Sequence, residues 1–370
     1  MMILIKVLQH WIRSDEVNFP EITINSIASK LILKVSSTSG IVGKCLFAFA
    51  ISLIHSRYLI KLPGISFDKV FTADPNTILD FSCGIFYFSL FHFKYNHIFV
   101  KQIEDVWNEL QIGFDYEARK YFWTRKVIYY SVTVGTICLF IHDISYFYHN
   151  WPYSDPKRLQ NQFDYWTSVM RLPIIYPYVV CNNCILYDLS ITAETAIQYI
   201  DTQSKRLYKE SLKDEKALNF QVIHDLRLKY LQTHRLVNKM NEFLSPYLLL
   251  SLIICIHHFI YLVYSILFVQ QSGLSRICQV ISFVGFSTFT FFITHLSSQV
   301  HVKSQQLLMT VYKLSLKTDF LKVLNEITLF VNCTEIGFSL GGICTLTSSA
   351  ITTLFSILTT LIIAIPSFIK

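Results

Sequence analysis

The sequence predicts an all-α membrane protein of seven transmembrane helices with a cytosolic amino terminus, inverted relative to a G-protein-coupled receptor. Three observations carry this. Of 370 residues, 52% are apolar and only 15% charged, against about 25% charged in an ordinary soluble domain; the mean hydropathy is +0.41. Seven apolar runs approach the roughly 20 residues that a helix needs to cross a hydrocarbon core about 30 Å thick. Of the 32 Lys and Arg residues, 23 lie in the amino-terminal arm and the segments after spans two, four and six, and seven lie on the other side. Positive residues accumulate on the cytosolic side. Soluble, disordered and nucleic-acid-binding classes are excluded together, because the +7 formal charge sits in short stretches between apolar runs, where membrane orientation accounts for it.

The first thirteen residues, MMILIKVLQHWIR, read as an amphipathic interfacial segment and not as a signal peptide, since Lys6 interrupts the apolar run and no small-residue cleavage site follows. They open a cytosolic arm over residues 1–40. Spans are expected at 41–60, 76–93, 127–148, 168–190, 246–269, 277–297 and 343–365. The second carries Asp80; the fourth carries Arg171, Pro173 and Pro177, tolerable in lipid where neighbours satisfy the freed carbonyls. Residues 41–297 then form a six-helix, ligand-sensing bundle. Its fourth and fifth spans continue as cytosolic helices over about 195–245, a stretch free of Pro and Gly whose Leu218, Val222, Leu226, Leu231 and Leu236 approach helical spacing. A cytosolic anchor helix is expected over 298–342, broken at Gly337 and Gly341-Gly342, and the last span with a short extracellular tail over 343–370.

Chemistry of the enzymatic kind is hard to find. Nine cysteines lie mostly inside apolar runs and read as small buried side chains. Tyr187-Asp188 supplies one signature of an intramembrane aspartyl protease without its second; His257-His258 stands alone, as does Cys181 with Cys184. Metal pairs and zinc sites need more ligands than these, and no phosphate-cradling Gly-rich loop occurs. No enzyme activity, cofactor or metal is therefore expected. The sequon Asn332-Cys333-Thr334 falls on the cytosolic side and receives no role.

The outside connections are short, so a ligand must enter the bundle itself. Ionisable residues inside a bilayer are costly and mark sites, which singles out Asp143 and Arg171. Around them the outer halves of spans two to six carry Phe86, Phe88, Tyr146, Trp166, Tyr176, Tyr264, Phe283, Phe286 and Thr288. Aromatic walls with a few polar groups suit a small organic ligand. Asp143, Tyr146, Trp166, Arg171, Tyr176, Tyr264 and Phe286 are the candidate ligand-binding residues.

Span seven is rich in hydroxyls: Thr345, Thr347, Ser348, Ser349, Thr352, Thr353, Ser356, Thr359 and Thr360. Several copies around an axis could line water; small hydroxylated residues equally support close helix packing. The seven-span layout, cytosolic extensions and very short tail resemble the insect gustatory receptor family, relatives of the insect odorant receptors. Its members carry Thr-Tyr, five apolar residues and Gln-Phe in the last span. Here the stretch reads Thr353-Leu354, Phe355-Ser356-Ile357-Leu358-Thr359, Thr360-Leu361, keeping the first Thr and replacing Tyr, Gln and Phe.

The resemblance implies a ligand-gated nonselective cation channel, assembled as a homotetramer or with related receptors and opened by a small-molecule tastant. It further implies residence in the plasma membrane of sensory neurons, with membrane lipid around it and no nucleic-acid partner. By position, Thr353, Leu354, Ile357, Thr360 and Leu361 become candidate pore and gate residues. A seven-span receptor signalling through a partner protein, and a membrane transporter, stand as alternatives.

Overall fold

A computed structural model describes residues 19–61, 75–149, 159–214, 217–268 and 273–368. Within these, the side chains of 53–61, 75–81, 135–149, 159–179 and 361–368, with scattered ones between 258 and 289, lie outside the description. Ten helices are formed by the described residues: α1 (Ile27–Leu33), α2 (Gly40–Lys61), α3 (Pro75–Lys94), α4 (His97–Leu110), α5 (Tyr116–His149), α6 (Leu159–Ser211), α7 (Phe220–Phe268), α8 (Gly273–Ser315), α9 (Leu321–Val331) and α10 (Ser348–Phe368). A short antiparallel hairpin, β1 (Ser339–Leu340) and β2 (Cys344–Thr345), precedes α10.

The seven long helices α2, α3, α5, α6, α7, α8 and α10 coincide with the seven apolar runs. Parts of α7 (Phe220–His257) and α8 (Gln279–Ser315) are, among the described residues, individually long and apolar enough to cross a membrane; α1 and the start of α2 pass the same test only when counted together across a 62° bend. At 53, 49 and 43 residues, α6, α7 and α8 are about 65–80 Å long at 1.5 Å per residue. That is more than twice a hydrocarbon core, so much of each lies beyond it.

The extensions are where the chain packs most fully. Buried Ile197, Ile200 and Leu207 of α6 meet Leu236, Val237, Met240 and Leu244 of α7 and Val300, Leu307, Val311 and Leu314 of α8 in one hydrophobic core. Phe91, Tyr95, Phe99, Phe243 and Tyr247 add an aromatic cluster, with Phe91 and Phe243 edge to face at 4.9 Å. Such pairs add about 0.5–1.5 kcal/mol beyond their burial.

Three features depart from the sequence reading. The segment after span two contains α4, which buries Phe99, Val100, Ile103, Val106, Trp107 and Leu110 and is capped by Asn96, whose Oδ1 accepts from Phe99 N at 3.0 Å. The helices expected to continue spans four and five over about 195–245 are present as the end of α6, to Ser211, and the start of α7, from Phe220; the intervening Lys213-Asp214 and Asn219 favour solvent and turns. The anchor stretch is instead two helices: α8 ends at Ser315 and α9 starts at Leu321. The last helix begins at Ser348, five residues later than expected, so Thr345 is in the hairpin and Thr347 caps α10, its Oγ1 accepting from Ala350 N at 3.0 Å. Gly341 and Gly342 force this outcome, since both take positive φ, 59° and 75°, a turn pair that residues with a Cβ enter only at a cost. Cys45 and Cys344, read as buried, are exposed on the single chain. The amphipathic reading of residues 1–13 falls outside the described residues.

Candidate functional site

The expected ligand-binding residues are carried by helices that adjoin in the fold: Asp143 and Tyr146 on α5, Trp166, Arg171 and Tyr176 on α6, Tyr264 on α7 and Phe286 on α8. The side chains of all seven lie outside the described residues. Around them, Phe88 is buried against Ala50, Phe47 and Ile51, whereas Phe86 is 62% exposed, so these two aromatics serve different faces. Phe283 pairs with Phe259 at 5.0 Å between ring centres. Thr288 is exposed and returns its hydroxyl to Val284 O.

Below this level α6 becomes a polar hub. Asp188, 2% exposed, pairs with Lys126 of α5 at 2.7 Å and accepts from Tyr130 Oη at 2.9 Å. The Lys126 ammonium also lies over the rings of Phe122, Trp123 and Tyr130 at 5.2–5.4 Å, near enough for cation–π attraction. The rings of Tyr187 and Tyr129 lie tilted beside it, their centres 5.4 Å apart. The Tyr187-Asp188 pair thus serves to join α5 to α6.

Two turns further along α6, fully buried Glu194 accepts at one oxygen from Tyr121 Oη (2.5 Å) and Arg125 Nη2 (2.9 Å), with Lys303 of α8 at 3.5 Å. Lys303 donates to Gln198 Oε1 at 2.5 Å, and burial lowers its pKa although Glu194 opposes the shift. Asp201 completes the series, paired with Lys205 at 2.5 Å and accepting from Thr310 of α8 at 2.9 Å. Charges buried this deeply persist only when paired. Sequence reasoning singled out Asp188; Lys126, Arg125, Glu194 and Lys303 escaped it because their partners are tens of residues away.

The segment leading to α10 is held by α7. Asn241 Oδ1 accepts from Ser339 N at 3.1 Å and its Nδ2 donates to Gly337 O at 3.2 Å. Ser245 accepts twice, at O from Gly341 N (3.1 Å) and at Oγ from Gly342 N (2.8 Å). Pro246 follows inside the helix and has no N–H, so the Glu242 carbonyl loses its helical donor. Tyr230 of α7 bonds Ser304 Oγ of α8 and Thr334 O, both at 2.9 Å. A cavity of about 10 Å³ under the hairpin, lined by Ser251, Cys255, Thr290 and Thr294 among apolar neighbours, has room for about one water and none for an organic ligand.

Further along, Glu326 of α9 is 4% exposed and accepts from Arg227 Nε at 2.6 Å and His224 Nδ1 at 2.9 Å. Burial alone would raise its pKa; the two donors outweigh that and hold it below the ordinary 4.5. A carboxyl whose pKa is depressed on folding stabilises the fold above its unfolded value and loses that contribution as pH falls through the folded one. Arg227→Ala is expected to remove about 1.5–3 kcal/mol near neutral pH and to flatten the loss of stability below pH 4.5. Thermal unfolding of the detergent-purified chain between about pH 3 and 7 checks this; an acid limb as steep as the parent's would remove Glu326 as its source.

The last helix carries the other expected site. Thr352, Thr353, Ser356, Ile357, Thr359 and Thr360 are exposed on the single chain, Leu354 half-buried, and the Leu361 side chain lies outside the described residues. Thr352, Thr359 and Thr360 donate back to the carbonyls of Ser348, Phe355 and Ser356 at 2.8–2.9 Å. Contacts of α10 with the rest of the chain are chiefly with α7 and α8.

Comparison with known proteins follows this geometry. No curated protein sequence matches the chain. Its fold is similar to that of the insect olfactory receptor OR5 from Machilis hrabei in complex with eugenol, with a TM-score of 0.65 at 12% identity over 98% of this chain and 99% of that one. A second structure of the same receptor gives 0.57 at 11% identity, over 98% and 97%. Both share its seven-transmembrane helical architecture. The family profile described as 7tm chemosensory receptor matches residues 81–365, well over half of the chain, and the chain belongs to that family.

Proposed function

We propose that this chemosensory receptor is a gustatory-type, ligand-gated nonselective cation channel, formed by four copies of the chain or by this chain with related receptors. The observation that carries the reading is α10: a helix whose Thr352, Thr353, Ser356, Thr359 and Thr360 are exposed on the single chain. Exposed hydroxyls are costly against lipid tails unless satisfied. The bonds of Thr352, Thr359 and Thr360 to the helix's own carbonyls let these three face lipid, a neighbour or an ion path without a large penalty. Packing the α10 helices of several copies around an axis gives them water on one side, with Ile357 and Leu361 as apolar constrictions. The Lys and Arg distribution supports a cytosolic amino terminus, and the resemblance to gustatory receptors supports residence in the plasma membrane of sensory neurons.

The ligand is a small organic tastant bound in the outer half of the bundle by Asp143, Tyr146, Trp166, Arg171, Tyr176, Tyr264 and Phe286. The eugenol bound by the olfactory receptor of similar fold is of this size class. Ligand opens the pore to the extent that it binds the open arrangement better than the closed one.

The test is to record current across a panel of small organic compounds in cells expressing this chain alone, then with Thr360→Ala, Leu361→Ala and Arg171→Ala. Basal conductance or ion preference is expected to change in the first two, and the agonist dose response to shift to higher concentration in the third. Currents unaltered by both pore substitutions would reject the pore assignment. A purified particle containing one chain would favour a receptor acting through a partner protein.

A further inference from the structure

Among the described residues, one face of α1 has no partner. Ile27, Lys30, Leu31 and Lys34 follow helical spacing along it and all are exposed, Ile27 to 79%. The opposite face is fixed. Ser29, Ile32 and Leu33 are buried, Tyr95 donates its hydroxyl to Ser29 Oγ at 2.9 Å, and the chain below is clasped by Ser36 and by His92, whose Nδ1 meets Val35 O at 2.7 Å. Rotating α1 to hide Ile27 would break these contacts.

The helix is also held at an angle. Between α1 and the first part of α2 the chain bends by 62°, which lays α1 closer to the membrane plane than to its normal once α2 crosses the bilayer. Ile41, Val42 and Lys44 at the start of α2 are also exposed, as are Phe93, Lys94, Ile98 and Lys101 around the α3–α4 junction. The acidic residues nearby include Glu104 of α4, within electrostatic reach of Lys30 and of Asp105, exposed Asp105 itself, four residues from Lys101, and exposed Glu21.

We propose that this surface docks anionic phospholipid of the cytoplasmic leaflet, with Ile27, Leu31 and Ile41 entering the acyl boundary and Lys30, Lys34 and Lys44 meeting the headgroup phosphates and carboxylates. Apolar residues interleaved with lysine on a helix lying in the interface are the pattern that anionic membranes attract, and lysine stems reach past apolar surface to hold their charge in the headgroups. Protein interfaces exclude lysine from their cores, so a second chain is the poorer occupant. The leaflet rests on the cytosolic placement of residues 1–40 proposed above.

The full chain, purified in an uncharged detergent, is titrated with dioctanoyl phosphatidylserine and separately with dioctanoyl phosphatidylcholine while thermal unfolding is followed. Each lysine near an anionic surface is worth about fivefold in affinity. Phosphatidylserine is therefore expected to stabilise the chain at concentrations about tenfold or more below phosphatidylcholine. The triple variant Lys30→Gln, Lys34→Gln, Lys44→Gln is expected to lose that difference while keeping its lipid-free midpoint. Equal responses to the two lipids in the parent, or an undiminished difference in the triple variant, overturn the proposal. So does an Ile27→Ser, Leu31→Ser variant that changes the mass of the particle and leaves its lipid response intact, which assigns the face to a second copy. Micelles expose both ends of the molecule, so the titration reads lipid chemistry whatever the orientation. An amino-terminal tag reached by antibody from outside intact cells would overturn the leaflet while the titration stood.

Discussion

Replacing Lys126 with methionine is expected to destabilise the folded chain by about 3–5 kcal/mol, the usual size of effect when a buried ion pair loses one partner. The two side chains are only 10% and 3% exposed. After the substitution Asp188 keeps the Tyr130 hydroxyl and no cation, while the methionine itself packs acceptably among Phe122, Trp123 and Tyr130. The loss therefore comes from the stranded carboxylate and not from a void. That distinction is testable, because the double variant Lys126→Met, Asp188→Leu removes both charges and is expected to recover most of the loss. Thermal unfolding of the purified variants decides. A single variant within about 1 kcal/mol of the parent, or a double variant no better than the single, would show that this pair does not hold α5 to α6.

Gly341→Val is expected to reduce ligand-evoked current by about tenfold or more while leaving the amount of protein at the cell surface within about twofold of the parent. At φ +59° a Cβ on residue 341 would come within 2.5 Å of Leu249 Cδ2, and the left-handed backbone costs a residue with a side chain about 1–2 kcal/mol. That energy is about a tenfold change in an equilibrium. Leu249 turning aside relieves only the contact with its tip; the left-handed backbone strain remains, and it is relieved by moving the hairpin off α7 at the expense of the bonds to Ser245 O and Oγ. Because the hairpin is the chain's direct route from the core of α6, α7, α8 and α9 to α10, its displacement alters how that helix is held. The core beneath, centred on α6, α7 and α8, stays intact, and the chain should still fold and reach the surface. Current per surface channel equal to the parent's would deny the hairpin any part in gating.

Much of this architecture was open to inspection in the sequence. Seven apolar runs gave seven long helices in the right order, since each is set by local length and composition. What escaped was set by distance. The α4 stripe of Phe99, Ile103, Val106 and Leu110 has a helical period, but at 14 residues the helix is too short to stand out as a span. Asn241 and Ser245 are ordinary polar residues in an amphipathic helix until the chain about 100 residues later returns to them. Glu194 and Lys303 are equally silent alone, being charged residues beyond the end of an apolar run, and become a site only when α8 is laid against α6. The glycines at 341 and 342 suggested a break in the chain. The structure shows the opposite mechanical property, a tight turn with both of its amides bonded to one serine.

That serine precedes Pro246, near the midpoint of a helix 49 residues long. A helix bends most easily where proline has removed a rung of its ladder, so α7 has its natural joint at the place where the strap to the last helix is moored. Displacement is smallest at a fulcrum and rotation is undiminished. Tilting of the upper arm would therefore reach the strap as a change in the aim of one carbonyl and one hydroxyl, a signal of direction and not of distance.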